Sequence, residues 1–126
     1  MTKIVINTQN APAPVGAYNQ AIVTGNLIFV SGQIPLDPAT GELIKGDFKA
    51  RCKRVLENLE AIVISAGSNN DKIVKTTVFL TDLSKFAEVN ETYAEFFKLD
   101  PPARAVVEVS KLPLGVDIEI ECIAEL

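Results

Sequence analysis

The run FKARCKRVLENLEAIVISAG, residues 48–67, reads as one long amphipathic helix and dictates what its neighbours must be. Phe48, Cys52, Val55, Leu56, Leu59, Ile62, Val63 and Ala66 recur at three- and four-residue spacing, Asp47 stands ready as N-cap, and Gly67 supplies the stop. An apolar stripe this wide has to be covered, and the flanking segments carry strand patterns, so it is predicted to lie on one face of a sheet. Lys49, Arg51, Lys53 and Arg54, with Glu57 and Glu60, scatter over the opposite side and read as a solvated face.

Downstream, residues 73–80 (IVKTTVFL) form a predicted strand in which Val74, Thr76, Val78 and Leu80 alternate against Ile73, Lys75, Thr77 and Phe79. Asp82 or Ser84 can cap a second helix, whose apolar positions Phe86, Val89, Tyr93, Phe96 and Phe97 make a stripe for the same sheet, with Asn90 beside it. Residues 100–108 (DPPARAVVE) follow. The prolines force an extended approach, and Ala105, Val106 and Val107 read as a buried strand with Arg104 at its mouth. The guanidinium fork of Arg104 suits a carboxylate or phosphate, or else an ion pair with Glu108. The last strand, residues 117–125 (DIEIECIAE), alternates strictly, with Ile118, Ile120, Cys122 and Ala124 on one face and Glu119, Glu121, Ile123 and Glu125 on the other. From pattern alone Glu119 is a solvent-facing charge.

Upstream, residues 3–7 form a short strand, and residues 11–16 (APAPVG) a shaped loop that leads to Tyr18. Residues 20–24 and 27–30 flank Gly25 and Asn26 as a β-hairpin. Ser31 and Gly32 follow directly, and Gly32 marks either a bulge or a close backbone approach. The order β-β-β-α-β-α-β-β, with two helices packed on one face of a mixed sheet, is an α+β arrangement within a single domain, residues 1–126.

Composition narrows the chemistry. The chain has no histidine, which excludes Ser-His-Asp and Cys-His relays and His-ligated zinc, and no glycine-rich nucleotide motif is present. Any reaction must use arginine, carboxylates, hydroxyls and backbone groups, without cofactor or metal. Twelve Lys+Arg against sixteen Asp+Glu, with no basic run, argue against a nucleic-acid partner. Cys52 and Cys122 read as reduced core residues; with no signal-peptide pattern and no apolar span for a membrane, a cytoplasmic protein is expected.

Six segments in order carry a resemblance: residues 11–18 (APAPVGAY), 30–35 (VSGQIP), 74–82 (VKTTVFLTD), Val89-Asn90 through Tyr93, 102–104 (PAR) and 112–121 (LPLGVDIEIE). Over nearly its whole length the sequence resembles the RidA family, also called YjgF/YER057c/UK114. The resemblance implies a chorismate-mutase-like fold, a homotrimer whose sheets form a central barrel, and clefts between subunits. It also implies hydrolytic deamination of reactive 2-imino and 2-enamino acids, such as 2-iminobutanoate and 2-iminopropanoate, released by pyridoxal-phosphate dehydratases. Carried over, Arg104 grips the substrate carboxylate, Glu119 holds the hydrolytic water and Tyr18 closes the pocket, with Ser31, Gly32 and Asn90 lining or supporting the cleft. Many relatives have cysteine where this chain has Val106, so only the backbone there could contact substrate. The alternatives are a non-catalytic metabolite-binding or chaperone-like module, and an endoribonuclease or translation inhibitor.

Overall fold

The computed structural model describes residues 2–126. In chain order the elements are β1 (Ile4–Ile6), β2 (Ala21–Thr24), β3 (Leu27–Gln33), α1 (Phe48–Ser65), β4 (Ile73–Leu80), α2 (Phe86–Phe96), β5 (Ala103–Glu108) and β6 (Ile118–Glu125), with short 3-10 turns between some of them. The strands make one mixed sheet in the order β1-β2-β3-β6-β4-β5. β6 inserts antiparallel between β3 and β4, and β4 pairs β5 in parallel. Strands β3 and β4 therefore run the same way, and α1 and α2 are successive crossovers stepping in one direction across the sheet. Crossovers share one hand, so both helices land on the same face. The α+β reading with two helices on one side of a mixed sheet is borne out.

Local chemistry sets the boundaries. The Asp47 carboxylate accepts from the Ala50 N–H at 2.9 Å. At the other end of α1, Gly67 at φ +92° lets its own N–H reach Ile64 O while the Ser68 N–H reaches Val63 O, the two bonds of a Schellman stop. Gly25 at φ +56° closes the β2–β3 hairpin in two residues, with Thr24 facing Leu27. The core forms where Val55, Leu56, Leu59, Ile62 and Val63 of α1, with Val89 and Tyr93 of α2, meet Ile28, Val78, Leu80, Ile118 and Ile120. A truncation such as Leu59→Ala in this layer costs about 2–5 kcal/mol. Among the described residues no helix is long and apolar enough to cross a membrane.

Several expectations change. Ile73, grouped by alternation with Lys75, Thr77 and Phe79, instead joins Thr76, Val78 and Leu80 in the core and Val74 is exposed, because the pairing of β4 with β6 shifts register between Ile73 and Lys75. Strand β5 is a sheet edge, so Ala105 and Val106 are only half-buried and Val107 is exposed. Asp82 caps a 3-10 turn, Leu83–Lys85, by accepting from Ser84 N, and α2 follows without a side-chain cap. Arg51 does not lie free on the solvated face: its Nε and Nη2 grip both carboxylate oxygens of Asp117 at 3.1 and 2.6 Å, tying α1 to the start of β6. The face without helices presents Val5, Phe29 and Val107, all exposed, with Ile123 directly across from Phe29.

Candidate functional site

Glu119 sits on β6, well inside the sheet, on the helix-free face. Its neighbour β3 carries a bulge: Val30 pairs Cys122 and Gln33 pairs Ile120, so Ser31 and Gly32 together oppose Glu121. The bulge brings the Gly32 backbone against the Glu119 carboxylate, where a Cβ would clash with Oε2. Both readings of Gly32, bend and close approach, hold at once. Ser31 is tied to the preceding loop, its Oγ donating to Asn19 O at 2.6 Å and its N–H to Gln20 O at 2.9 Å. Tyr18 folds back over that loop, its hydroxyl oxygen accepting from Val15 N at 3.1 Å. Tyr18, Ser31, Gly32 and Glu119, with Pro12, Val15, Ile34, Leu36 and Pro113, enclose a cavity of about 330 Å³. Half-burial, and secondarily the charge of Glu121, raise the Glu119 pKa above the ordinary carboxylate value. A more basic carboxylate beside an apolar wall is well suited to hold water and accept its proton.

Arg104 lies on β5 opposite Thr76, two strands from Glu119. Its guanidinium carbon stands 4.9 Å from the Tyr93 ring centroid and 5.3 Å from that of Phe86, and Nη2 donates to Asn90 Oδ1 at 2.8 Å. Phe86, Asn90 and Tyr93 fall at i, i+4 and i+7 on α2, so one stripe of the helix makes the whole platform. Tyr93 is fixed in turn by donating its hydroxyl to Thr76 Oγ1 at 2.8 Å, and burial pushes its pKa up to about 12, so it stays neutral. The Arg104–Glu108 pair does not form. Glu108 accepts from Leu83 N instead, and among the described residues Arg104 has no carboxylate within ion-pair distance. Phe86 is correspondingly not core but partly exposed beside the cation.

The predicted residues therefore fall into two groups. Tyr18, Ser31, Gly32 and Glu119 meet in one cavity, while Arg104 and Asn90 line another with Pro101 and Pro102. Register puts the groups on opposite faces: Arg104 aligns with Thr76 and Cys122 on the helix side, and Glu119 with Phe79 on the open side. Val106 packs its side chain against the core and borders neither cavity. The cysteines are inert, since burial raises Cys52 to about 11 and Cys122 to about 12. No group of residues suited to hold a metal ion occurs among the described residues.

Sequence reasoning missed Phe86 and Tyr93 as the arginine's platform, although their spacing with Asn90 was readable. It also missed two buried amides behind the Glu119 cavity, Gln20 and Asn58. Asn58 Nδ2 donates to the carbonyls of Ile34 and Leu36 at 3.3 and 3.0 Å, holding one cavity wall, and Arg54 Nε orients it by donating to Oδ1 at 3.1 Å.

This arrangement of sheet and crossover helices is shared with known proteins. Residues 8–126 match the family model described as Endoribonuclease L-PSP. The RutC family protein of Pyrococcus abyssi is 56% identical over 124 residues, covering 98% of each chain. The solved RidA of an Antarctic Psychrobacter superposes with a TM-score of 0.94 at 46% identity, over 98% of this chain and 99% of that one. Escherichia coli TdcF, solved with bound serine, gives 0.93 at 44% identity over 98% of each chain. The chain belongs to the RidA family.

Proposed function

We propose that this protein hydrolyses 2-imino acids, and the 2-enamino acids that tautomerise to them, to 2-oxo acids and ammonia. The observation that carries this reading is Arg104: a guanidinium placed against two rings and an amide, with no carboxylate partner among the described residues. That is a receptor for a carboxylate brought by a ligand. The bound serine of TdcF, a small amino acid carrying its carboxylate next to C2, is a ligand of matching chemistry.

In the proposed reaction Arg104 fixes the substrate carboxylate and Glu119 holds a water against C2. As the water oxygen bonds to C2, the C=N π pair moves to nitrogen and Glu119 takes the water's proton. Glu119 then returns it to nitrogen, giving a neutral amine; the hydroxyl proton passes to that nitrogen by way of Glu119, the O–H pair forms the C=O bond, and the C–N pair leaves with nitrogen as ammonia, so that both protons of the water end on nitrogen and its oxygen in the 2-oxo acid. Imines hydrolyse readily unaided, so orientation is most of what is required, without cofactor or metal. Because Arg104 and Glu119 lie on opposite faces of one sheet, the reading requires a second copy to complete each site. A homotrimer of chorismate-mutase-like form, with the helix-free faces turned inward as a barrel, meets this need and would cover Val5, Phe29 and Val107, which are exposed in the single chain. An RNA substrate is disfavoured by the formal charge of −4.

The test is ammonia release from 2-iminobutanoate generated in situ by a dehydratase. Acceleration over the spontaneous rate is expected, and its absence with a correctly assembled protein would refute the reading.

A further inference from the structure

We propose that Gln20 is a positioning residue that sets ligand affinity in the Glu119 cavity by fixing the Pro12–Tyr18 wall; its ligand-binding half rests on the deaminase reading above. The wall has no regular structure. Residues 11–20 belong to no helix, and only Ala21 begins a strand. Its backbone polar groups therefore need partners from elsewhere. Gln20 supplies them from the core, where it is only 1% exposed. Its Nε2 donates to the carbonyls of Thr8, Ala11 and Pro12 at 3.0, 3.3 and 2.9 Å. Its Oε1 accepts from Thr8 N at 2.7 Å. One carboxamide thus binds both ends of the chain reversal that precedes Tyr18.

The same residue touches the catalytic side. Its backbone carbonyl accepts from Ser31 N at 2.9 Å, and its side chain borders the cavity that Glu119 lines. Only a neutral primary amide satisfies the set: a carboxylate at position 20 would face three carbonyl oxygens with no proton to give, and an apolar isostere would leave all four backbone groups unpaired. Glu119 itself hangs from β6 and the Ser31–Gly32 bulge, so loosening the wall should weaken binding while leaving the chemical step largely intact.

The experiment combines amide exchange with ligand titration on the wild-type assembly and on Gln20→Met and Gln20→Glu. In wild type the Thr8 N–H should exchange as slowly as strand amides although it lies outside β1. In the variants exchange should rise across residues 8–18 and remain unchanged in α1 and β6. The affinity for 2-oxobutanoate should fall, and KM for 2-iminobutanoate should rise, by about tenfold to a hundredfold with kcat within roughly threefold. Fast exchange of Thr8 N–H in the wild-type protein overturns the proposal even if neither variant folds. So does a folded Gln20→Met protein with wild-type KM, or one that loses kcat and keeps KM. A wild-type protein that neither binds 2-oxobutanoate nor hydrolyses the imine would overturn the deaminase reading and the ligand half of the proposal together, while the exchange data judge the stapling half separately.

Discussion

The Glu119 cavity and the Arg104 platform are built on different principles. Around Glu119 the chain uses backbone: a bulge at Ser31 and Gly32 tied to the carbonyls of Asn19 and Gln20, a proline-rich loop held by the buried Gln20 amide, and a wall at Ile34 and Leu36 held by the buried Asn58 amide. Around Arg104 it uses side chains from one helical stripe, with two aromatic rings and Asn90 fixing the cation. The first region is a concave, mainly apolar cavity with one carboxylate, and the second an open ledge with one cation. Neither is a complete site for an anionic imine, which needs a cation for its carboxylate and a base for the water.

Substituting Arg104 should have the largest effect on that division. Arg104→Lys retains the charge but loses the planar fork and the stacking, and kcat/KM should fall roughly thirty- to several-thousandfold. The melting temperature should change little, because among the described residues no ion pair is lost, only an exposed hydrogen bond to Asn90 and the ring contacts; a large drop in stability with catalysis intact would return Arg104 to a structural role.

Mixing tests whether the halves meet across copies. Arg104→Ala and Glu119→Gln subunits, each inactive alone, should regain about one quarter of wild-type activity when unfolded and refolded together in equal amounts, since in a randomly mixed assembly of the proposed kind that fraction of interfaces joins an intact arginine to an intact glutamate. No recovery in mixed assemblies would mean that the two residues do not share a site.

Gly32→Ala addresses the cavity alone. Its Cβ would meet the end of the flexible Glu119 side chain, so the carboxylate swings aside at small cost to the fold while catalysis drops about tenfold to a hundredfold. Retained activity with an unchanged melting temperature would show that the Glu119 position is not critical.

The smallest effect should be on stability. A raised pKa means that the folded state binds the Glu119 proton more tightly than the unfolded chain does, so its ionised form at neutral pH opposes folding. Glu119→Gln should therefore melt at a slightly higher temperature than wild type at pH 7. The advantage should vanish as pH falls through the raised pKa towards and below the ordinary carboxylate range, where wild type is also neutral. Thermal melts across that range check the sign, and a less stable Glu119→Gln at pH 7 would contradict it.

Periodicity and local chemistry in the sequence determined both helices, the Gly25 hairpin, the alternation of β6 and the stops at Asp47 and Gly67, because each depends on residues within a turn or two of one another. The RidA resemblance, carried by short ordered segments, pointed to Tyr18, Ser31, Gly32 and Glu119, which line one cavity, to Asn90 and Arg104, which line the other, and to Val106, which lines neither. Tertiary structure alone decided that Arg104 and Glu119 occupy opposite faces, since a strand's alternation separates two sets of side chains without saying which sheet face either set takes. That choice is made by pairing across long stretches of chain, Arg104 to Thr76 to Cys122 in one row and Glu119 to Phe79 in another. It also decided that a register shift puts Ile73 inside in place of Val74, and that β5 ends the sheet and leaves Val107 exposed. Gln20 follows the same logic: its partners lie 8 to 12 residues away, in a loop whose path no local propensity specifies.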